Sequence, residues 1–147
     1  MITNQNKLVV RRFLEEIVNT GDVDRLAEFV AADCNESNDS TGQSRGLESM
    51  RAHVLGVRQT YADLRITVDQ QIAEGEWVAT RITARGTHLG EWLGISPTHK
   101  PVTITGVNLD RVVSGRIVEH GDAANMFEAL MEIGAIAVVG SGGNRAD

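Results

Sequence analysis

The stretch Arg85-Gly-Thr-His-Leu-Gly-Glu-Trp-Leu-Gly-Ile-Ser-Pro-Thr98 decides how the chain must fold. It closes a run starting at Trp77 in which Val78, Ile82 and Ala84 share one parity, the period of a half-buried strand. His88 has the same parity and is expected to point inward where the strand gives way to the Gly90–Lys100 loop. A second strand follows from Val102 to Val113, with Val102, Ile104, Gly106 and the polar interruption Asn108 on one face. Ser114-Gly115 then makes a hairpin turn into Arg116 to Asn125, where His120 and Asp122 share parity with Val118 and Ala124. If these strands are neighbours, His88, Asn108, His120 and Asp122 converge on one cavity.

Upstream, Leu64, Ile66 and Val68 alternate with Arg65, Thr67 and Asp69 in a further strand, and Glu74-Gly75 turns it toward Trp77. The chain before this strand has a helical period. From Asn6 to Asn19, Leu8, Val9, Phe13, Leu14, Ile17 and Val18 form an apolar stripe opposed by charged residues, and Thr20-Gly21 ends it. Asp22 can cap a second short helix through Val23, Leu26, Ala27, Phe29 and Val30. Asp33 to Gly46 is a polar loop that can hold a short strand at Cys34–Ser37, and helical spacing resumes from Leu47 to Tyr61. Met126, Phe127, Leu130 and Ile133 form a last short helix, followed by a frayed tail from Gly140. Helices first and antiparallel strands afterwards define an α+β domain, expected over residues 1–139 with 140–147 as tail.

The 147 residues suit one domain with a real core. A net charge of −6 with scattered Lys and Arg argues against nucleic acid, which needs a basic footprint. Cys34 is the single cysteine, which excludes an intrachain disulfide and fits the cytoplasm, and it reads most simply as a small buried hydrophobe. The four histidines at 53, 88, 99 and 120 have no metal-ligand spacing, so no metal is expected. Ile133 to Val139 is too short to span a bilayer, and no secretory segment opens the chain. No nucleophile elbow occurs, and the Gly140-Ser-Gly-Gly run does not sit between strand and helix as a phosphate loop would.

Several motifs together resemble the SnoaL-like polyketide cyclase family: the helical opening, Tyr61-Ala-Asp-Leu-Arg, Gly86-Thr-His-Leu-Gly-Glu-Trp-Leu-Gly-Ile-Ser-Pro-Thr, and Gly115-Arg-Ile-Val-Glu-His. The resemblance runs from about Asn6 to Ile136. It implies the cone-shaped α+β barrel of the nuclear-transport-factor-2-like (NTF2-like) superfamily, with helices on a curved sheet around a deep pocket. It also implies a homodimer, an apolar polyketide-like substrate and no cofactor. An Asp on the last strand is the family's general acid/base. Many members read Glu-His-Trp-Asp there, and this chain reads Glu119-His-Gly-Asp, which matches Asp122 and puts Gly121 in place of the Trp. An Asp/Asn-His pair often follows the second helix in the family, and here Glu36-Ser37 stands there.

The candidate catalytic residues are therefore Asp122, His120 and Asn108, and the candidate substrate contacts are His88, Trp92, Glu36, Ser37 and Tyr61. An Asp in an apolar cavity would have its pKa raised toward a useful acid/base value. Each candidate also has a plain alternative: a strand-end hydrogen bond for Asp122, a dimer contact for His120, a satisfied core amide for Asn108. For His88 it is a cap on the loop, and for Trp92, Leu93, Ile95 and Tyr61 a packing role. The leading expectation is an aldol-type ring closure in which Asp122 takes a proton from carbon and delivers one to oxygen, with Asn108 and His88 or His120 holding the oxygens. Epoxide opening, pyran formation or hydration would need a second carboxylate, for which Glu36 is the applicant. A non-catalytic binding or dimerisation module is the third reading.

Overall fold

The structure, a computed structural model, describes residues 1–38, 41 and 43–140. Helix α1 (Ile2–Arg12) runs directly into a π-helical segment, Phe13–Val18. The wide turn is marked by the Asn19 N–H donating to the Leu14 carbonyl at 3.0 Å. It turns Phe13, Leu14, Ile17 and Val18 into the core, while Leu8, expected in the stripe, is exposed. It also brings the Asn19 amide against β2 (Arg65–Glu74), where it exchanges two hydrogen bonds with the Ile66 backbone at 2.7 and 2.9 Å.

The expected second helix is instead a 3₁₀ segment, Val23–Glu28, because β1 (Val30–Glu36) starts too soon for α-helical turns to accumulate. That strand begins four residues before the expected Cys34. Helix α2 (Gly46–Thr60) follows, one residue ahead of its expected span. The remaining elements are β3 (Trp77–Thr87), β4 (Pro101–Val113), β5 (Arg116–Asn125) and α3 (Met126–Glu132). Ser114 and Gly115 take φ of 50° and 77°, the paired left-handed conformation that lets a two-residue hairpin follow strand twist. The expected tail beyond Gly140 lies outside the described residues, as does part of the loop after β1.

Among the described residues, five strands pair in the order β1-β5-β4-β3-β2. All neighbours are antiparallel except β1, which lies parallel to β5 and makes the sheet mixed. The sheet is open rather than closed, and the helices cover one face, consistent with the cone-shaped α+β fold. Bulges between Val68 and Gln70 and between Arg111 and Val112 bend it.

Two apolar clusters form under the helices. One joins the opening helical segments and α2 to the sheet through Phe13, Ile17, Met50, Val54, Val78 and Ile117. The other lies at the far end, where Tyr61, Leu64, Val102, Ile104, Ala129 and Ile133 pack with α3. Cys34 is buried as expected, and burial, with Asp110 next in effect, pushes its thiol up to about 12.

The loop after β3 is pinned to the end of α2: the N–H groups of Leu89 and Gly90 both donate to the Thr60 carbonyl, at 2.9 and 3.0 Å. A Cβ on Gly90 would run into the Gln59 backbone carbonyl, which cannot move aside as a side chain can. Gly90→Ala is therefore expected to lower stability by about 1–3 kcal/mol, read as a lower urea midpoint at unchanged slope. An unchanged midpoint would refute this close approach.

Candidate active site

A cavity of about 160 Å³ occupies the seam between the two clusters. Its walls are apolar, including Leu14, Met50, Val54, Leu64, Ile82 and Ile104, except where Asn108, His120, Asp122, His53 and Tyr61 reach it. Beyond it lies a wider polar vestibule of about 370 Å³ formed by Glu36, Asn38, Ser44, His53, His120, Gly121 and Asp122. His53, His120 and Asp122 line both spaces and so stand at their junction.

Strand register explains the convergence. Asn108 lies opposite Asp122, and Asp110 opposite His120, so all four alternate residues face the same side of the β4–β5 pair. Asn108 is buried in the cavity wall, and among the described residues its side-chain amide has no hydrogen-bond partner. That leaves its polar atoms for a bound oxygen.

The dominant electrostatic feature is one the sequence reading did not single out. Asp110 is 1% exposed, and its Oδ1 lies 2.6 Å from His120 Nδ1. Burial alone would lower the imidazole's pKa. The hydrogen bond and charge of Asp110, with smaller contributions from Asp122 and Glu36, overcome it and raise His120 above its ordinary value. His120 Nε2 is the ring nitrogen left for the cavity. The signal in the sequence is that Asp110 continues the parity of Asn108.

His53 was also missed. It sits on the face of α2 that carries Met50, Val54 and Val57, and its Nδ1 lies 2.9 Å from Glu36 Oε1. Ser49 Oγ donates to the other oxygen of Glu36. Glu36 is itself buried, so β1 and α2 are joined by a carboxylate held at both oxygens. The rings of His53 and His120 are 6.0 Å apart at 74°.

Asp122 differs from expectation. It is exposed at the junction rather than buried in apolar surroundings. Asn38 grips it: the Asn38 amide donates to Asp122 Oδ1 at 2.5 Å and to its carbonyl at 2.8 Å, and accepts from its N–H at 3.1 Å. Ser37 is not in either cavity wall. Its N–H and Oγ both donate to the His120 carbonyl, at 2.8 and 3.1 Å. Gly121 explains this arrangement, because a Cβ there would collide with Ser37 Oγ and the Asn38 side chain. The turn at Ser37-Asn38 thus lies where a side chain at position 121 would stand.

His88 and Trp92 are also not in the cavity. His88 is 0% exposed, and its Nδ1 accepts from the Thr98 N–H at 3.2 Å with Thr98 Oγ1 at 3.0 Å, so it fastens the loop. Trp92 packs edge-on to Tyr61 and His88 at 5.8 and 6.3 Å. Leu93 is exposed at the tip of a tight turn closed by Trp92 and Ile95. Trp92 and Ile95 pack against the second cluster, because β3 ends at Thr87 and the chain turns there into the loop. Tyr61 does line the cavity, with burial pushing its phenol up to about 12, so the hydroxyl remains protonated. Among the described residues no three His, Cys, Asp or Glu side chains are grouped to hold a metal.

Residues 8–133 match the family described as SnoaL-like polyketide cyclase. The aklanonic acid methyl ester cyclase AcmA of Streptomyces galilaeus is 30% identical over 115 residues, 77% of this chain and 79% of that protein. Wild-type IdmH of Streptomyces antibioticus, provisionally assigned as a polyketide cyclase, is 31% identical with a TM-score of 0.76, over 88% of this chain and 99% of that one. AclR of Streptomyces galilaeus, provisionally assigned as a hydroxylase, is 27% identical with a TM-score of 0.79, over 95% of this chain and 87% of that one.

The raised pKa of His120 has a sign. Its protonated form is favoured by folding, so this contribution is fully present below the ordinary value of about 6.5 and is lost as pH rises through the folded value. In Asp110→Asn the raising charge is gone and burial dominates, so the histidine should titrate below the ordinary value and the pH dependence of stability should reverse. NMR titration of the His120 ring in both proteins checks this, and an unchanged titration would refute the pairing.

Proposed function

The chain belongs to the SnoaL-like polyketide cyclase family, and from that premise we propose that it closes a ring in a polyketide acid ester by an intramolecular aldol reaction. The observation that carries this reading is the convergence of Asn108, His120 and Asp122 from paired strands onto an apolar cavity. An aldol closure transfers a proton from carbon to oxygen and shifts two electron pairs, which acid/base groups can manage.

Asp122 takes the proton from a carbon flanked by two carbonyl groups. Its position suits this role, because Asn38 holds the carboxylate in one orientation at the mouth of the cavity. As the C–H pair moves to oxygen, the His120 imidazolium and the Asn108 amide receive the enolate charge. Asp110 favours the protonated form of that ring and fixes its orientation. Such donors cost little reorganisation when charge develops. The apolar walls fold the flexible chain so that the enolate carbon meets the accepting carbonyl. The hydration and epoxide readings need a carboxylate free to activate water, and Glu36 is unavailable, with both oxygens engaged by Ser49 and His53. The AclR similarity is a reminder that such a fold can carry other chemistry, so the assignment rests on the site.

The same reading includes a homodimer in the cytoplasm. Val107 and Leu109 lie on the sheet face opposite Asn108 and Asp110 and are exposed at 43% and 48%. Two copies of that face would cover each other. Leu109→Lys should therefore shift the sedimentation of the protein toward the monomer, and a wild type that already sediments as a monomer would refute the dimer. For location, no described helix is long and apolar enough to cross a membrane.

With aklanonic acid methyl ester as substrate, the wild type should form a product isobaric with it. Asp122→Asn should fold normally and be slower by about 10²–10⁴-fold. Full turnover by Asp122→Asn would remove the carboxylate from the mechanism, and a mass gain of one water would indicate hydration instead.

A further inference from the structure

Ring closure needs charge handled at two different oxygens, and the cavity has two histidine–carboxylate pairs. The aldol scheme employs only Asp110–His120. We propose that His53, oriented by Glu36, is a second catalytic residue that donates a proton to the oxygen of the accepting carbonyl; this rests on the cyclase reading above.

The geometry has three parts. First, Glu36 is buried and its two oxygens are taken by His53 Nδ1 and Ser49 Oγ, so the ring is held at one nitrogen and Nε2 is the atom left to act. Second, His53 lines both the apolar cavity and the polar vestibule, with its side chain 43% exposed. It can therefore meet substrate on one side and exchange protons with solvent on the other. Third, its ring stands 6.0 Å from that of His120. The rings meet edge-on, so both border the junction of cavity and vestibule, where a substrate oxygen would reach them.

The groups facing His53 are Glu36 from β1, and His120 and Asp122 from β5, with Asp110 of β4 behind His120. Three of these four carry carboxylates, so the ring faces mainly hydrogen-bond acceptors.

The step balances. Asp122 takes the carbon-bound proton, and the C–H pair becomes the enolate held at His120 and Asn108. The enolate carbon bonds to the accepting carbonyl carbon, and the C=O π pair moves to that oxygen. His53 Nε2–H transfers its proton there, giving the alcohol. The proton on Asp122 then returns to His53 by exchange across the solvent-open mouth. One C–H bond and one π bond are replaced by one C–C bond and one O–H bond, with no net proton change.

A simpler role for the pair is an anchor between β1 and α2, and the variants must separate the two. His53→Asn keeps an amide N–H near the position of Nδ1, so Glu36 remains paired, but removes Nε2. With aklanonic acid methyl ester, His53→Asn should lower kcat by about 10²-fold at a KM within about twofold. Glu36→Gln should lower kcat by a smaller factor, because Nε2 remains while the carboxylate that orients the ring is lost. A kcat within twofold of wild type in His53→Asn would overturn the proposal and leave an anchor, visible only as a lower melting temperature.

Asp122→Asn, run alongside, tests the underlying reading separately: its activity judges the base, whereas that of His53→Asn judges the acid. A readout independent of turnover is the ¹⁵N resonance of His53 Nε2 in the wild type. Saturation with the ester should shift it, and an unmoved resonance would also overturn the proposal.

Discussion

A carboxylate at 1% exposure is tolerable in a protein interior only with a partner, and Asp110 has one in His120. This pair constrains much of the molecule. It requires β4 and β5 to be in the register that sets Asp110 opposite His120, since a shift by one residue would put the two side chains on opposite faces. That same register sets Asn108 opposite Asp122. The arrangement of the cavity is thus tied to the need to compensate one buried charge.

The mouth of the cavity follows from a second constraint, the lack of a side chain at Gly121. The Ser37-Asn38 turn fills that space, Ser37 bonding the His120 carbonyl and Asn38 gripping Asp122. Asp122 is thereby held in the open rather than buried. The two Asp residues differ in setting: the buried Asp110 tunes a histidine, and the exposed Asp122 is held by Asn38 at the cavity mouth.

The cavity itself results from incomplete merging of two cores. The π turn at Phe13–Val18 and α2 fill one end, and α3 with the loop after β3 fills the other. Leu14, Met50 and Val54 from the first and Leu64, Ala84 and Ile104 from the second face each other across the gap. Packing at both ends lets the middle remain open without loss of rigidity, which a positioning enzyme needs.

The sequence by itself determined the strands, the helical opening and the family, because hydrophobic period and turn chemistry are local. Arg116 to Asn125 and the Ser114-Gly115 turn are legible residue by residue, as are Asn108, His120 and Asp122 on shared parities. Only the tertiary structure decided what these residues meet. It set β1 parallel to β5, took His88 and Trp92 out of the pocket, and paired Asp110 with His120 and Glu36 with His53. The last pair spans 17 positions and the Asn38–Asp122 contact 84, and no period within one strand or helix encodes such distances. Burial and charge compensation depend on which surfaces come together, and that is a property of the packed chain.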